Sequence, residues 1–339
     1  MQKLRVLVLT DHTNHSAENS VYSLLRSMRK HPRCEQIDIA TRANPLNDFF
    51  FKNFSDEKLF VHEVDENFAF SPEGKSFKHK VQRESVNDYD AVWLRMPPPL
   101  PKPFLIFLKH KFPNQIFIND PDGIYETGSK EFLFNFPEVC APMKICKSKE
   151  DILEFSQQFP IVLKPFRDYG GTGIVRIDGE KVWEGKNEIS LDDFFRKLKN
   201  TKVEYLGVKF LKNVSKGDKR IVVVNGKMIG ASLRLPPKDS WICNVTMGGS
   251  AIFAEADADE LKIIDQINPT LEKLGIVMYG VDTLMGDDEK RILSEINTTS
   301  IGGIIQMEKQ QGKALTKATT DQIWNFIRFK IIKKNAISS

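Results

Sequence analysis

Cysteine is scarce in this chain and follows no pattern. Cys34, Cys140, Cys146 and Cys243 have neither metal-ligand spacing nor the density of a disulfide framework, which excludes a stapled secreted scaffold and reads as free thiols in a reducing cytosol. Long apolar runs are missing too. The opening "MQKLRVLVLTDH" breaks into polar residues after one short run, so it reads as neither a signal peptide nor a membrane span, and a cytoplasmic location is expected. No charge dominates: 49 Lys and Arg face 45 Asp and Glu, for a net charge of +4. That balance gives no global field of the kind that marks a nucleic-acid binder, and the basic tail "FRFKIIKKNA" reads as a solvated helix end. Two phosphate-binding signatures are also absent. The near miss to a Walker loop, "AFSPEGKSF", has Ala69 where its first glycine should stand, and the glycines after Lys164 lead into a strand, not the helix a dinucleotide fingerprint requires. His12 and His15 lack nearby Cys or Glu and read as a polar loop without metal.

What is present is a core-forming chain. Its 339 residues and 41% apolar content accommodate two or three domains. "LRVLVLT", "YDAVWLRM" and "QIFIND" are continuous apolar runs suited to parallel strands covered on both faces. Between the first two, Val21, Leu24, Leu25 and Met28 recur at helical spacing behind Ser20, a candidate cap. Residues 1–121 are therefore expected to form an α/β domain whose strands point the loop after Thr10, and Arg95, at a ligand crevice. The phenylalanine-rich stretch from Asn47 to Lys80 reads as a hairpin insertion, with an oligomer contact as the alternative.

Beyond Gly123 the pattern becomes α+β. Strands "PMKIC" and "IVLKP", a glycine hairpin and the capped helix "SLDDFFRKLKN" make a small unit over 122–203. The strands "KRIVVVNGKMIGASLRL" around an Asn-Gly turn open a third unit over 204–335, in which the helix "DADELKIIDQINPTLEKLG" follows.

Two stretches carry chemistry. In "FPIVLKPFRDYGGTGIVRIDG", Lys164 precedes a strand–loop–strand hairpin whose Gly170, Gly171 and Gly173 supply positive φ and let backbone N–H groups approach an anion. In "GVDTLMGDDEKRILSEINTTS", counting outward from a turn centred on Asp288 and Glu289 sets Asp282 opposite Glu295, with Asn297 on the same face. Two carboxylates and an amide form a hard-oxygen site suited to Mg2+ held together with phosphates, and like charges so paired need a cation to offset them. With Lys130 as a second cation, the order lysine, glycine lid, oxygen site points to ATP.

With these residues in place, the chain resembles the ATP-grasp superfamily and, within it, bacterial glutathione synthetases. The likeness runs through "ENSVYSLL", "WLRMPPP", "FINDP", "GSKEFL", "IVLKPFRDYGGTGIVRI", "KGDKRIVVVNG", "LRLPP", "INPTLEKLGI", "GVD" and "LSEINTTS". It implies an N-terminal α/β domain, a lid-bearing central domain and a C-terminal domain, with ATP between the last two. It further implies that Lys130 and Lys164 hold phosphates, that Gly170, Gly171 and Gly173 form the lid, that Lys209, Phe210 and Leu211 are the adenine hinge, and that Asp218 reaches the ribose. Asp282, Glu295 and Asn297 would hold Mg2+, with Mn2+ as an alternative ion. Arg220 and Arg234 would grip the acceptor carboxylate and transferred phosphoryl group, Arg95 with Asn19 and Ser20 the dipeptide, and Thr299 with Ser300 the glycine. The implied reaction activates a carboxylate as an acyl phosphate and joins it to an amine, γ-glutamylcysteine and glycine in this family, in a homo-oligomeric enzyme that needs neither nucleic acid nor membrane.

The chain departs from the family on the acceptor side. Ile242 and Cys243 stand where an Arg-Gly pair is usual, "RMPPP" replaces a strand end containing Lys-Asp, and Ile301 takes a proline's place. A ligase joining a different amino acid or γ-glutamyl peptide, and a non-catalytic ATP-binding module, are the alternatives.

Overall fold

The structure, a computed structural model, describes residues 2–98, 100–166, 173–199, 201–237, 241, 243 and 249–338. Within these residues the chain builds one mixed sheet and two antiparallel sheets, in chain order.

The first sheet contains β1 (Leu4–Thr10), β2 (Cys34–Thr41), β3 (Lys58–Glu63), β4 (Gln82–Ser85), β5 (Ala91–Arg95) and β6 (Ile116–Ile118), in the order β4-β3-β2-β1-β5-β6. β2, β1, β5 and β6 run parallel, while β3 and β4 extend the edge antiparallel. The continuous apolar run of β1 follows from double burial. Leu7 and Leu9 enter one core while Leu4, Val6 and Val8 enter another on the opposite face. β2 went unread in the sequence because charged Glu35 and Asp38 interrupt its apolar run.

Helix Ser20–Arg29 buries Val21, Leu24, Leu25 and Met28 as its spacing requires, but its cap is Asn19, whose Oδ1 accepts from Val21 N at 3.0 Å, and Ser20 is the first helical residue. The phenylalanine-rich insertion does form a hairpin, β3 with β4. Phe50, Phe51 and Phe54 pack edge-on or tilted against Phe104 and Phe107, and Phe68 and Phe77 pack around Tyr22 and the two loop histidines.

The second sheet contains β7 (Met143–Cys146), β8 (Ile161–Pro165), β9 (Val175–Asp178), β10 (Lys181–Glu184), β11 (Asn187–Ser190) and β12 (Tyr205–Lys209), ordered β11-β10-β9-β8-β12-β7. It has its own core, where Ile161, Leu163, Val175 and Ile177 meet Ile152 and Phe155 of one helix and Phe194 and Phe195 of another. Alternation along β8 then turns Val162 and Lys164 to the other face. Because β12 pairs with both β7 and β8, a division at 203/204 would remove a strand from this sheet, and the chain changes sheet after Lys209.

The third sheet contains β13 (Asp218–Val224), β14 (Lys227–Leu235), β15 (Ser250–Ala254), β16 (Met278–Met285) and β17 (Arg291–Asn297), ordered β15-β14-β13-β16-β17. Asn225 and Gly226 take φ of 51° and 73°, as the tight β13–β14 hairpin demands. The first and third units interlock. Asn119, just past β6, accepts from Val277 N and Met278 N and donates to Met278 O and Thr298 O, all within 2.8 Å. At Gly123 a Cβ would stand 2.1 Å from the Leu274 carbonyl oxygen, so only glycine permits this approach. The last helix, Leu315–Ser338, lies on Ser20–Arg29 through Ser27 and Thr320 and a stack of His31 on Trp324.

Candidate active site

The second and third sheets face each other across a solvent-open cleft with a cavity volume of about 160 Å³. From the second sheet come Val162, Lys164, Val208 and the hinge Lys209, Phe210 and Leu211, and from the third Asp218, Arg220, Arg234, Asp282, Ser294, Glu295 and Asn297. Prolines shape the hinge. Lys209 N donates to Pro142 O and Phe210 N to Pro160 O, and neither proline has an N–H with which to return a bond to the hinge carbonyls.

On the third sheet, alternation sends Asp218 and Arg220 of β13 into the cleft beside Asp282 of β16. Asp282 lies directly opposite Glu295, and Gly280 opposite Asn297. The pairing agrees with the count from the sequence, but by a different route. The turn is one residue longer than that count assumed, with Met285 opposite Arg291, and a bulge at Ser294 restores the register. The displaced Ser294 accepts from Lys164 Nζ at 3.2 Å, which ties the glycine-hairpin lysine to the carboxylate strand. Sequence alone gave no signal for this residue, because bulges have no residue requirement here.

The ion pairs in this face add to the sequence argument. Two arginines and an amide already contact Asp282. Arg220 binds it through both Nε and Nη2, Arg234 Nη2 reaches it at 2.9 Å, and Asn297 Nδ2 at 3.3 Å. Arg234 also holds Asp218 through a second two-pronged contact. Burial alone would raise the Asp282 carboxyl, but the charges of Arg220 and Arg234 outweigh it and hold it well below the usual carboxylate range. Asp218 moves the other way. Burial, then the charge of Asp282, pushes it up to about 6 against the pull of Arg234. Among the described residues the Glu295 side chain makes no hydrogen bond or ion pair, and with Asn297 Nδ2 turned to Asp282, the Asn297 side-chain carbonyl is left over. Glu295 and Asn297 therefore present uncommitted oxygens beside an anionic Asp282, the donor set a hard divalent ion prefers. Burial pushes the thiols of Cys140 and Cys243 up, to about 12 and about 11, so neither is a thiolate.

Other expected residues lie around this cleft. Lys130 begins a 3-10 turn capped by Ser129 and lines an adjoining pocket with Glu295. Gly173 has φ of 69°, whereas Gly170, Gly171 and Ile242 lie outside the described residues. Thr299 lines a separate apolar pocket with Leu100 and Tyr125, and Ser300 has φ of 47°. Arg95 is 3% exposed at the end of β5, donating to Ser20 Oγ at 3.0 Å and to Ile301 O at 2.9 Å, so the loops expected for the two joined substrates meet on one guanidinium.

Behind the cleft face sits a network that sequence reasoning missed. Lys219, between Asp218 and Arg220, points away from the cleft to Glu260, which also accepts from Thr283 Oγ1 at 2.5 Å and has Arg291 within 4.0 Å. Glu260 is completely buried, and its Lys219 and Arg291 partners are each 7% exposed. Arg291 in turn donates to the carbonyls of Gly217 and Thr283, the neighbours of Asp218 and Asp282.

Residues 129–312 match the model for the ATP-grasp domain of prokaryotic glutathione synthetase, more than half of the chain. The chain belongs to this family. Curated relatives agree: the glutathione synthetase of Bradyrhizobium diazoefficiens is 30% identical over 246 residues, covering 71% of this chain and 75% of its own, and that of Brucella melitensis is 28% identical over the same shares. Among solved structures, the D-cycloserine synthetase DcsG aligns over 93% of this chain and 98% of its own with a TM-score of 0.62 at 13% identity. The ATP-grasp ligase PsnB, complexed with minimal precursor, Mg and ADP, aligns over 95% and 98% with a TM-score of 0.57 at 13% identity. At that identity the likeness is one of fold, and it agrees with the sheets described above. The protein is an ATP-dependent ligase of small molecules that uses ATP with a divalent metal. Among the described residues no helix is long and apolar enough to cross a membrane.

The loop histidines give a pH prediction. Burial, reinforced by the charges of His12 and Arg95, lowers His15 from its ordinary 6.5 to about 4, and burial with Lys78 lowers His12. Between those values the unfolded chain binds a proton that folded His15 refuses, so its contribution to stability is complete above pH 6.5 and is lost as pH falls toward 4. Urea midpoints of His15→Gln are expected to fall less between pH 7 and pH 5 than those of the parent. An unchanged slope would refute the assignment.

Proposed function

We propose that this ligase joins γ-glutamylcysteine to glycine, using ATP and Mg2+, to give glutathione, ADP and phosphate. Arg95 is the observation that carries the carboxylate donor. Burial lowers its pKa to about 10, and among the described residues no acidic side chain pairs with it. A buried guanidinium without an anion is costly unless a ligand supplies one, and Arg95 stands at the N-terminus of Ser20–Arg29, whose dipole also favours an anion.

Lys130 and Lys164 take the phosphates, and the carbonyls left by Pro142 and Pro160 at Lys209 and Phe210, with Leu211, read the adenine edge. Asp218 still has lone pairs for a ribose hydroxyl while bound to Arg234. Glu295, Asn297 and Asp282 would hold Mg2+, which supplies charge neutralisation between the phosphates. In the first step a substrate carboxylate oxygen attacks the γ-phosphorus and ADP leaves. The glycine amine, placed by Thr299 and Ser300, then attacks the acyl carbon, loses a proton and expels phosphate. Arg220 and Arg234 stabilise the oxygens that gain charge in both steps. No cysteine acts, in keeping with the raised thiols.

The test is ATP-dependent phosphate release with Mg2+, γ-glutamylcysteine and glycine, each omitted in turn, with the product weighed by mass spectrometry. A glutathione mass that requires every component is expected. Release only with another amino acid or γ-glutamyl peptide would overturn the substrate assignment, and that outcome has a motive in Ile301 and Met96, which stand where the family differs.

A further inference from the structure

His15 and Tyr22 have no ligand or catalytic role above, yet they connect to Arg95. The Arg95 carbonyl can only accept, and Thr10 Oγ1 donates its single hydrogen to it at 3.1 Å. With that hydrogen used, Thr10 Oγ1 can only accept in its contact with His15 Nε2, which at 3.5 Å is long for a hydrogen bond. A ring that donates through Nε2 while neutral has a bare Nδ1, and Tyr22 O–H, 3.0 Å from that nitrogen, donates into it. The chain of bonds thus has one direction, from Tyr22 through His15 and Thr10 to the backbone of Arg95. Thr10 is 0% and Tyr22 4% exposed. The assembly is fixed from outside by the insertion: Phe77 meets His15 edge-on and stacks on His12, and Phe68 and Phe70 close on Tyr22.

We infer that His15, oriented by Tyr22, is a positioning residue for Arg95 and sets affinity for the γ-glutamyl carboxylate donor. This rests on the reading of Arg95 as that donor's anion partner. The physical reason is geometric. Arg95 ends β5, and its carbonyl bond to Thr10 ties that end to β1, so the relay fixes where the guanidinium stands relative to Ser20. Of the residues assigned to ligands, the relay's hydrogen bonds reach only the Arg95 backbone, so the effect should be confined to one substrate.

The experiment titrates γ-glutamylcysteine and ATP separately by calorimetry, and measures turnover, in the parent, Tyr22→Phe, His15→Leu and His15→Gln. Tyr22→Phe keeps the ring contacts and removes only the donor. Expected is a loss of about tenfold in γ-glutamylcysteine affinity and a matching rise in its KM for Tyr22→Phe and His15→Leu, with ATP affinity unchanged. His15→Gln, whose amide can accept from Tyr22 and donate to Thr10, should recover most of it. Equal losses for ATP and peptide, or no loss in either variant, would overturn the inference, as would a parent that fails to bind the peptide. A parent that binds the peptide but does not turn it over would refute the proposed reaction while leaving the variants' binding to decide the role of His15.

Discussion

Glu295→Gln is expected to reduce ATP-dependent phosphate release on the order of 100- to 1000-fold, the scale typical of removing one charge-stabilising group from a water-excluded site. The fold should be unharmed, because the Glu295 side chain has no hydrogen bond or ion pair among the described residues to lose. That separation makes it the cleanest probe of the oxygen site. Asp282→Asn would mix two effects, since the half-buried Arg220 and Arg234 would be left with half their compensation. The measurement is steady-state phosphate release across a Mg2+ series, alongside circular dichroism. Folded Glu295→Gln with parental turnover at every Mg2+ concentration would remove Glu295 from the metal site and with it the reading of β16 and β17 as the phosphate end of the cleft.

Glu260→Gln should act on stability. The side chain is fully buried, receives Lys219, Thr283 and the Asp257 backbone, and lies beside Arg291. Breaking a buried ion pair from one side costs about 3–5 kcal/mol, because the remaining charge is stranded out of water. Two cations share this carboxylate, and Asp257, which also pairs with Lys219 at 3.2 Å, is 45% exposed and offsets only part of its loss. Urea unfolding should therefore show a midpoint far below the parent's at unchanged slope. A loss under about 1 kcal/mol would mean that water or rearrangement reaches Lys219, and the network would not be what holds β13 and β16 in place.

These two carboxylates show why parts of the site were readable and parts were not. Glu295 was found because strand pairing is periodic: residues at matched distances from a turn share a face, and hard-oxygen ligands on one face are a chemical pattern. The count worked although the turn was misplaced, because the Ser294 bulge added the residue that the longer turn had taken away. Glu260 was missed because its partners come from β13, β16, β17 and the start of a helix, and no spacing in the sequence links them. Its position three residues after Asp257 looks like an ordinary capping box, which it also is. The resemblance assigns Arg220 and Arg234 to ligands, and the structure adds Asp218 and Asp282 as their protein partners. The choice of partner depends on the β13 register with β14 and β16, which no local pattern encodes.

The sequence by itself determined the alternation of strands and helices, the doubly buried β1 and β5, the Asn-Gly hairpin, the lysine and glycine stretch, and the facing of Asp282 and Glu295. All of these depend on periods of 2 or 3.6 residues or on turn chemistry, and both act over short distances along the chain. Tertiary contacts set which sheet received β12, that Asn119 would clasp the first unit to the third, that arginines would pair with Asp282, and that Arg95 would be buried with no acid beside it among the described residues. Each of those outcomes depends on groups brought together from distant segments, where burial sets the cost of a charge and leaves only a few partners within reach to meet it.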